Sequence, residues 1–147
     1  MGTLFDPRDR AAILDRIARL TEDRHPVWGR FTAHQMVCHV SSGLRNGLDE
    51  VDLGPPRGPL THWPINWLVI HVVPFPKGAK AAPEMLATRP TTWAADVAAL
   101  RDLIDRFAAR EPRSAWPPSR VFGRISGRSW GVLQHKHLDH HLRQFGV

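Results

Sequence analysis

Apolar residues recur at three- and four-residue spacing along four stretches of the chain, and that periodicity predicts helices. The first opens at Asp6-Pro7, with Asp6 as N-cap and Pro7 at the first helical position. Ala12, Ile13, Ile17 and Leu20 follow on one face, and His25-Pro26 is expected to end the run. The second opens at Thr32, with Gln35 three residues on as a capping box and Phe31 and Met36 as a hydrophobic staple. It runs to about Leu48. Residues 49–62 carry Gly54, Pro55, Pro56, Gly58 and Pro59 and read as a loop. Pro64 then starts a short apolar helix, INWLVIHVV, stopped by Pro74 and Pro76. After a loop over 77–90, Thr91 or Thr92 caps a third long helix with Trp93, Val97, Leu100, Ile104 and Phe107 along one face. Pro112 and Trp116-Pro117-Pro118 end it. The stretch VFGRISG reads as a compact turn, and Ser129 as the cap of a last helix from Trp130 to about Gln144. No alternating strand pattern competes with these helices, and no internal repeat is present. The expected fold is all-α: a four-helix bundle with a short extra apolar helix in the connection between the second and third long helices.

Composition narrows the picture. The chain of 147 residues fits one domain, 1–147. Its formal charge of +6 raises the question of an acidic partner. The arginines are spread along the whole chain without a basic block, however, so nucleic-acid binding is not expected. One cysteine, Cys38, excludes an intrachain disulfide and fits a reducing, cytoplasmic setting. The segment MGTLFDPRDR has charges and a proline where a secretory signal needs an apolar run. The longest apolar stretch, Trp63 to Phe75, is interrupted by Pro64, His71 and Pro74 and is too short to span a bilayer.

The nine histidines become informative once their directions are compared. With ~100° per residue and His137 at zero, Trp130 lies near +20°, Leu133 near −40°, His141 near +40° and Leu138 near +100°. His137 and His141 therefore belong to the core-facing side of the last helix. His140 falls near −60°, at its polar edge, His135 points ~160° away, and Asp139, ~200° away, is expected to face solvent. On the second helix His39 stands between an apolar arc (Met36, Val40, Gly43) and a polar strip (Gln35, Ser42, Asn46). Cys38 points ~100° from His39 and is expected to be a small structural thiol. A His pair four apart can close on one metal ion. The same spacing serves hydrogen-bonded core or surface histidines equally well, and spacing does not nominate a third ligand.

The segment HLDHHLRQFG resembles the last-helix signature HxxHHRGQ of the DinB/YfiT-like metalloenzyme superfamily. The resemblance extends over about residues 5–147, with TTWAADVAAL at the start of the third long helix, and is nearest to an uncharacterised DinB-like subfamily. It implies that His137 and His141 are metal ligands and that His39, in FTAHQMVCHV, is the third. The chain departs from the signature at Leu142-Arg143, where the family has Arg-Gly, and in its proline-rich insert from 49 to 90.

Three neutral imidazoles leave an open coordination position on Zn²⁺ or Ni²⁺. The resemblance implies a transferase that uses a low-molecular-weight thiol cosubstrate on a small electrophile. A metal-activated-water hydrolase and a non-enzymatic metal- or ligand-binding bundle are the alternatives. Gln35, Asn46, Trp130 and Gln134 are candidate pocket residues, each also readable as packing or solvated surface. His71 is either a fourth group near the metal or a buried or interface histidine. A small-molecule substrate is expected. The apolar segment from Trp63 to Phe75, together with the resemblance, implies a homodimer.

Overall fold

The computed structural model describes residues 1–79 and 88–147. It is all-helical: α1 spans Pro7–Ala18, α2 Ala33–Gly47, α3 Ile65–His71, α4 Trp93–Ala109 and α5 Gly127–Gln144. A 3₁₀ turn covers Pro59–Thr61, and among the described residues the β-type pairing is confined to one isolated bridge, Ser119 with Gly123. The loop read over 77–90 falls partly outside the described residues. The four longer helices touch in a closed ring: α2 on α4, α4 on α1, α1 on α5, and α5 back on α2. Helix α3 packs on the outside of α5. No described helix is long and apolar enough to cross a membrane.

Local chemistry sets the helix ends. Asp6 accepts the Arg8 and Asp9 N–H groups, with Pro7 in the first turn. Thr32 and Gln35 form the reciprocal capping box of α2, and Thr92 rather than Thr91 caps α4 by accepting from Ala95. Two boundaries differ from expectation. Helix α1 stops at Ala18, well before His25-Pro26, because no apolar residue continues its buried face of Ile13 and Ile17 beyond Leu20. Helix α5 starts one turn early, with Ser126 as its N-cap accepting from Ser129 N–H. Ser129 is then a first-turn residue whose hydroxyl meets Ser126 and His71.

The core runs through the ring of helices: Ile13 and Ile17 from α1, Met36, Val40 and Leu44 from α2, Leu100, Leu103, Ile104 and Phe107 from α4, and Trp130, Leu138 and Leu142 from α5. The VFGRISG segment does turn back tightly, with paired bonds of 2.8 and 2.9 Å between Ser119 and Gly123. Gly123 has φ 68°, and a Cβ there would lie 2.8 Å from the Thr61 carbonyl oxygen, so the turn needs glycine on both counts. The turn presses Phe122 inward, where it helps to wall the cavity described below.

Asp139 corrects a direction read from the helical phase. It is not turned to solvent but sits between Arg16 at 2.7 Å and Arg143 at 3.0 Å, tying α5 to α1. Helix α3 and the residues flanking it are mostly apolar, with Asn66 and His71 as exceptions, and its sides divide sharply. Ile70 is fully buried, whereas Trp63, Ile65, Trp67, Leu68, Val72 and Val73 are exposed.

Candidate metal centre

His39 on α2 and His137 and His141 on α5 converge where those two helices pack. One ligand atom from each lies within 4.8 Å of the others. The ring centroids stand 4.8, 4.8 and 4.9 Å apart, with each ring nearly edge-on to the next. His39 Nε2 and His137 Nε2 are 2.9 Å apart. Two nitrogens bound to one ion at ~2.0–2.1 Å lie ~2.9 Å apart at a right angle and ~3.3 Å apart at a tetrahedral angle. The His39–His137 pair is therefore at the spacing that a shared ion requires, with a His141 nitrogen within 4.8 Å of both.

The third ring is oriented from behind. His141 Nδ1 is 2.8 Å from Gln144 Oε1, and the Gln144 amide N–H donates to the Trp28 carbonyl oxygen at 2.8 Å. With Gln144 held as an acceptor, Nδ1 carries the proton and Nε2 keeps its lone pair for the cluster. Phe31 lies over the His39 and His141 rings at 5.2 and 5.9 Å. His39 and His141 are only 5% and 9% exposed. His137 retains some solvent access along the cavity wall, although its ring nitrogens are enclosed.

Electrostatics favours the ligand form of these rings. Burial pushes the His137 imidazolium well below the usual histidine range, helped by the neighbouring His39, His141 and His140. Burial and His39 lower His141 to about 3, against the opposing hydrogen bond from Gln144. Neutral imidazoles in a clustered, desolvated position are what a divalent ion binds without first displacing protons. The donor set fits such an ion.

The trio forms one end of a cavity of about 300 Å³ lined by Phe31, Leu60, Val69, Phe75, Phe122 and Leu133 among others. Three of the four residues proposed for the pocket line it: Asn46, Trp130 and Gln134. Gln35 does not. It is exposed, and its side-chain oxygen accepts the Thr32 N–H of the capping box. Asn46 Oδ1 accepts the Arg120 N–H, and Trp130 Nε1 donates to the Pro117 carbonyl oxygen. Both therefore spend polar groups on holding the wall. Gln134 Oε1 is buried with no hydrogen-bond partner. Among the described lining residues there is no aspartate or glutamate.

The other histidines fall elsewhere. His71 stacks on Trp67 and meets the Ser129 hydroxyl at 3.1 Å, apart from the trio. His140 lies beside the site, its ring edge-on to His141 at 5.1 Å, and lines the cavity without joining the converging nitrogens. His135 packs against Gly2 on another face. Cys38 turns away from His39, as its phase requires, and meets a second group, His34 and Asp96, between α2 and α4. The sequence reading overlooked that group. His34 and Cys38 are themselves four apart on α2, a visible signal, but their meeting with Asp96 of α4 depends on helix packing. The reading also passed over Gln144, whose role follows from where Trp28 sits.

Comparison of the chain with protein-family models, with curated proteins and with solved structures finds no match.

Proposed function

We propose that this chain is a divalent-metal-dependent enzyme, a four-helix bundle of the DinB-like kind, that joins a small thiol to a small electrophile. The observation that carries the reading is the convergence of His39, His137 and His141 in the wall of a largely apolar cavity. A bound Zn²⁺ or Ni²⁺ would supply an open coordination position and a lowered pKa for a thiol placed there. The chain's own residues do the rest. Gln144 holds the His141 tautomer, Phe31 shields the rings, and the apolar walls keep water from competing with the thiolate. The thiolate sulfur would then bond to the electrophilic carbon, whose leaving group takes the electron pair of the broken bond and the proton that the thiol gave up.

The test is consumption of a small epoxide by the metal-loaded protein with and without added glutathione or cysteine. The expected result is turnover that needs both metal and thiol and disappears in His137→Ala. Turnover without thiol would establish the hydrolase instead. Metal binding with no turnover of epoxides, alkyl halides or enones would leave a binding protein. We further propose that a second copy of the chain covers the exposed apolar side of α3, since Trp67 and Leu68 of the helix and the flanking Trp63 and Val72 are all exposed.

A further inference from the structure

Among the described residues of the cavity wall, Gln134 carries a buried polar atom whose position the fold does not explain. It sits on α5 three residues before His137, so both side chains rise on one side of the helix. It is 3% exposed, and its Oε1 has no hydrogen-bond partner among the described residues. An amide oxygen left so in an apolar setting destabilises the fold, and leucine would fit the same volume without that cost. The opposite wall also leaves it room. Gly43 of α2 faces it, and a Cβ at that position would stand 3.1 Å from Gln134 Oε1 and 3.2 Å from His137 Nδ1. Asn46 and Trp130 differ, since both are already committed to backbone groups.

We propose that Gln134 is the recognition group of this cavity, and that its ligand is a small, mainly apolar molecule carrying one O–H or N–H donor that bonds to Gln134 Oε1. The volume of about 300 Å³ suits a ligand of one aromatic ring or a comparable branched chain. Phe75, Phe122 and Val69 take its apolar body, and the donor end lies on the side of the histidine trio. The inference rests on the reading of this cavity as the substrate site, but not on the metal or on the reaction.

The probes are 4-ethylphenol, which donates a hydrogen bond, and 4-ethylanisole, which has the same shape and only accepts one. Binding is followed in the full-length protein by NMR titration, with the Gln134 side-chain amide as a local signal. The phenol is expected to bind about tenfold more tightly than the ether, the factor that 1.4 kcal/mol of hydrogen bonding gives, and to shift the Gln134 amide. In Gln134→Leu the preference should vanish while thermal stability holds or rises, because the orphaned oxygen is gone. Gln134→Met keeps the unbranched length and serves the same purpose should the leucine variant fail to fold. Equal binding of phenol and ether, a preference that survives both variants, or a marked loss of stability in both would overturn the proposal. So would the absence of binding by either probe, and if the metal content remained intact the metal reading would stand without it.

Discussion

Two histidine clusters share helix α2. His39 turns toward α5 and meets His137 and His141, whereas His34 and Cys38 turn toward α4 and meet Asp96. By residue type the second set is as good a metal site as the first. The difference lies in what the donors already do. Asp96 accepts the Thr91 N–H at 2.7 Å, the Thr91 hydroxyl at 2.8 Å and His34 Nε2 at 2.6 Å. Burial alone would raise its pKa, but these bonds hold it below the usual carboxylate range. Burial and the Asp96 charge push the Cys38 thiol up to about 11, so it stays protonated at neutral pH. An ion there would have to break the His34–Asp96 hydrogen bond and a helix-start network and expel a proton from Cys38. At the trio no carboxylate intervenes among the described residues, burial keeps His137 and His141 in the neutral form, and two nitrogens face each other at 2.9 Å. Similar residues thus make a brace in one place and a donor set that could hold an ion in the other.

The strongest way to break this comparison is to exchange the clusters' fates by mutation. His39→Ala should weaken binding of Zn²⁺ or Ni²⁺ by more than the roughly 10- to 100-fold typical of outer-shell losses, while His34→Ala and Cys38→Ala leave it unchanged. Gln144→Ala should fall between them, at about 10- to 100-fold, because His141 loses the acceptor that fixes its tautomer. Competition titration with a chromophoric chelator reads all four. Metal loss in Cys38→Ala would mean that the second cluster is the ion site.

Acid should separate the clusters next. His141 and His137 have folded-state values below those of the unfolded chain, so the unfolded chain takes up protons first as pH falls. The metal-free protein should keep this contribution above pH ~6.5 and lose it on acidification at up to ~1.4 kcal/mol per pH unit for each such histidine. The Asp96 contribution has the depressed-carboxylate sign and should persist until pH falls below the ordinary carboxylate range. Urea denaturation from pH 8 to pH 4 measures the slope. A flat profile down to pH 5 would contradict the buried neutral trio.

Asp96→Ala should cost about 1–3 kcal/mol of stability, for the lost cap-like bonds and the stranded His34, with metal affinity untouched. The smallest effect on either cluster is expected at α3. Trp67→Glu with Leu68→Glu should convert a dimer to a monomer by light scattering without changing metal content. A wild-type monomer would remove the second copy from the account.

Much of this was legible in the sequence where the signal is local. The Asp6-Pro7 start, the Thr32–Gln35 box and the 3.6-residue rhythm of α4 depend on neighbours within a turn, and they place those helices. The α5 start slipped by a turn because Ser126 and Ser129 are both acceptable caps, and only the path out of the Ser119–Gly123 bridge decides between them. Phase arithmetic put His137 and His141 on one face and turned Cys38 away from His39. It failed for Asp139, since an angle on one helix says nothing about Arg16 arriving from α1. It assigned Gln35 to the pocket, although a capping-box glutamine already has a bond to make. The union of His39 with the α5 pair is a contact across about a hundred residues, which periodicity alone cannot nominate. The orphaned Gln134 oxygen required a full account of the buried polar atoms.

The most direct test of the central claim is elemental analysis of untagged protein purified without chelator and dialysed against trace divalent metals. The account predicts close to one ion per chain in the wild type and background levels in the His137→Ala, His141→Ala double variant. Background metal in the wild type, or an unchanged level in the double variant, would contradict it.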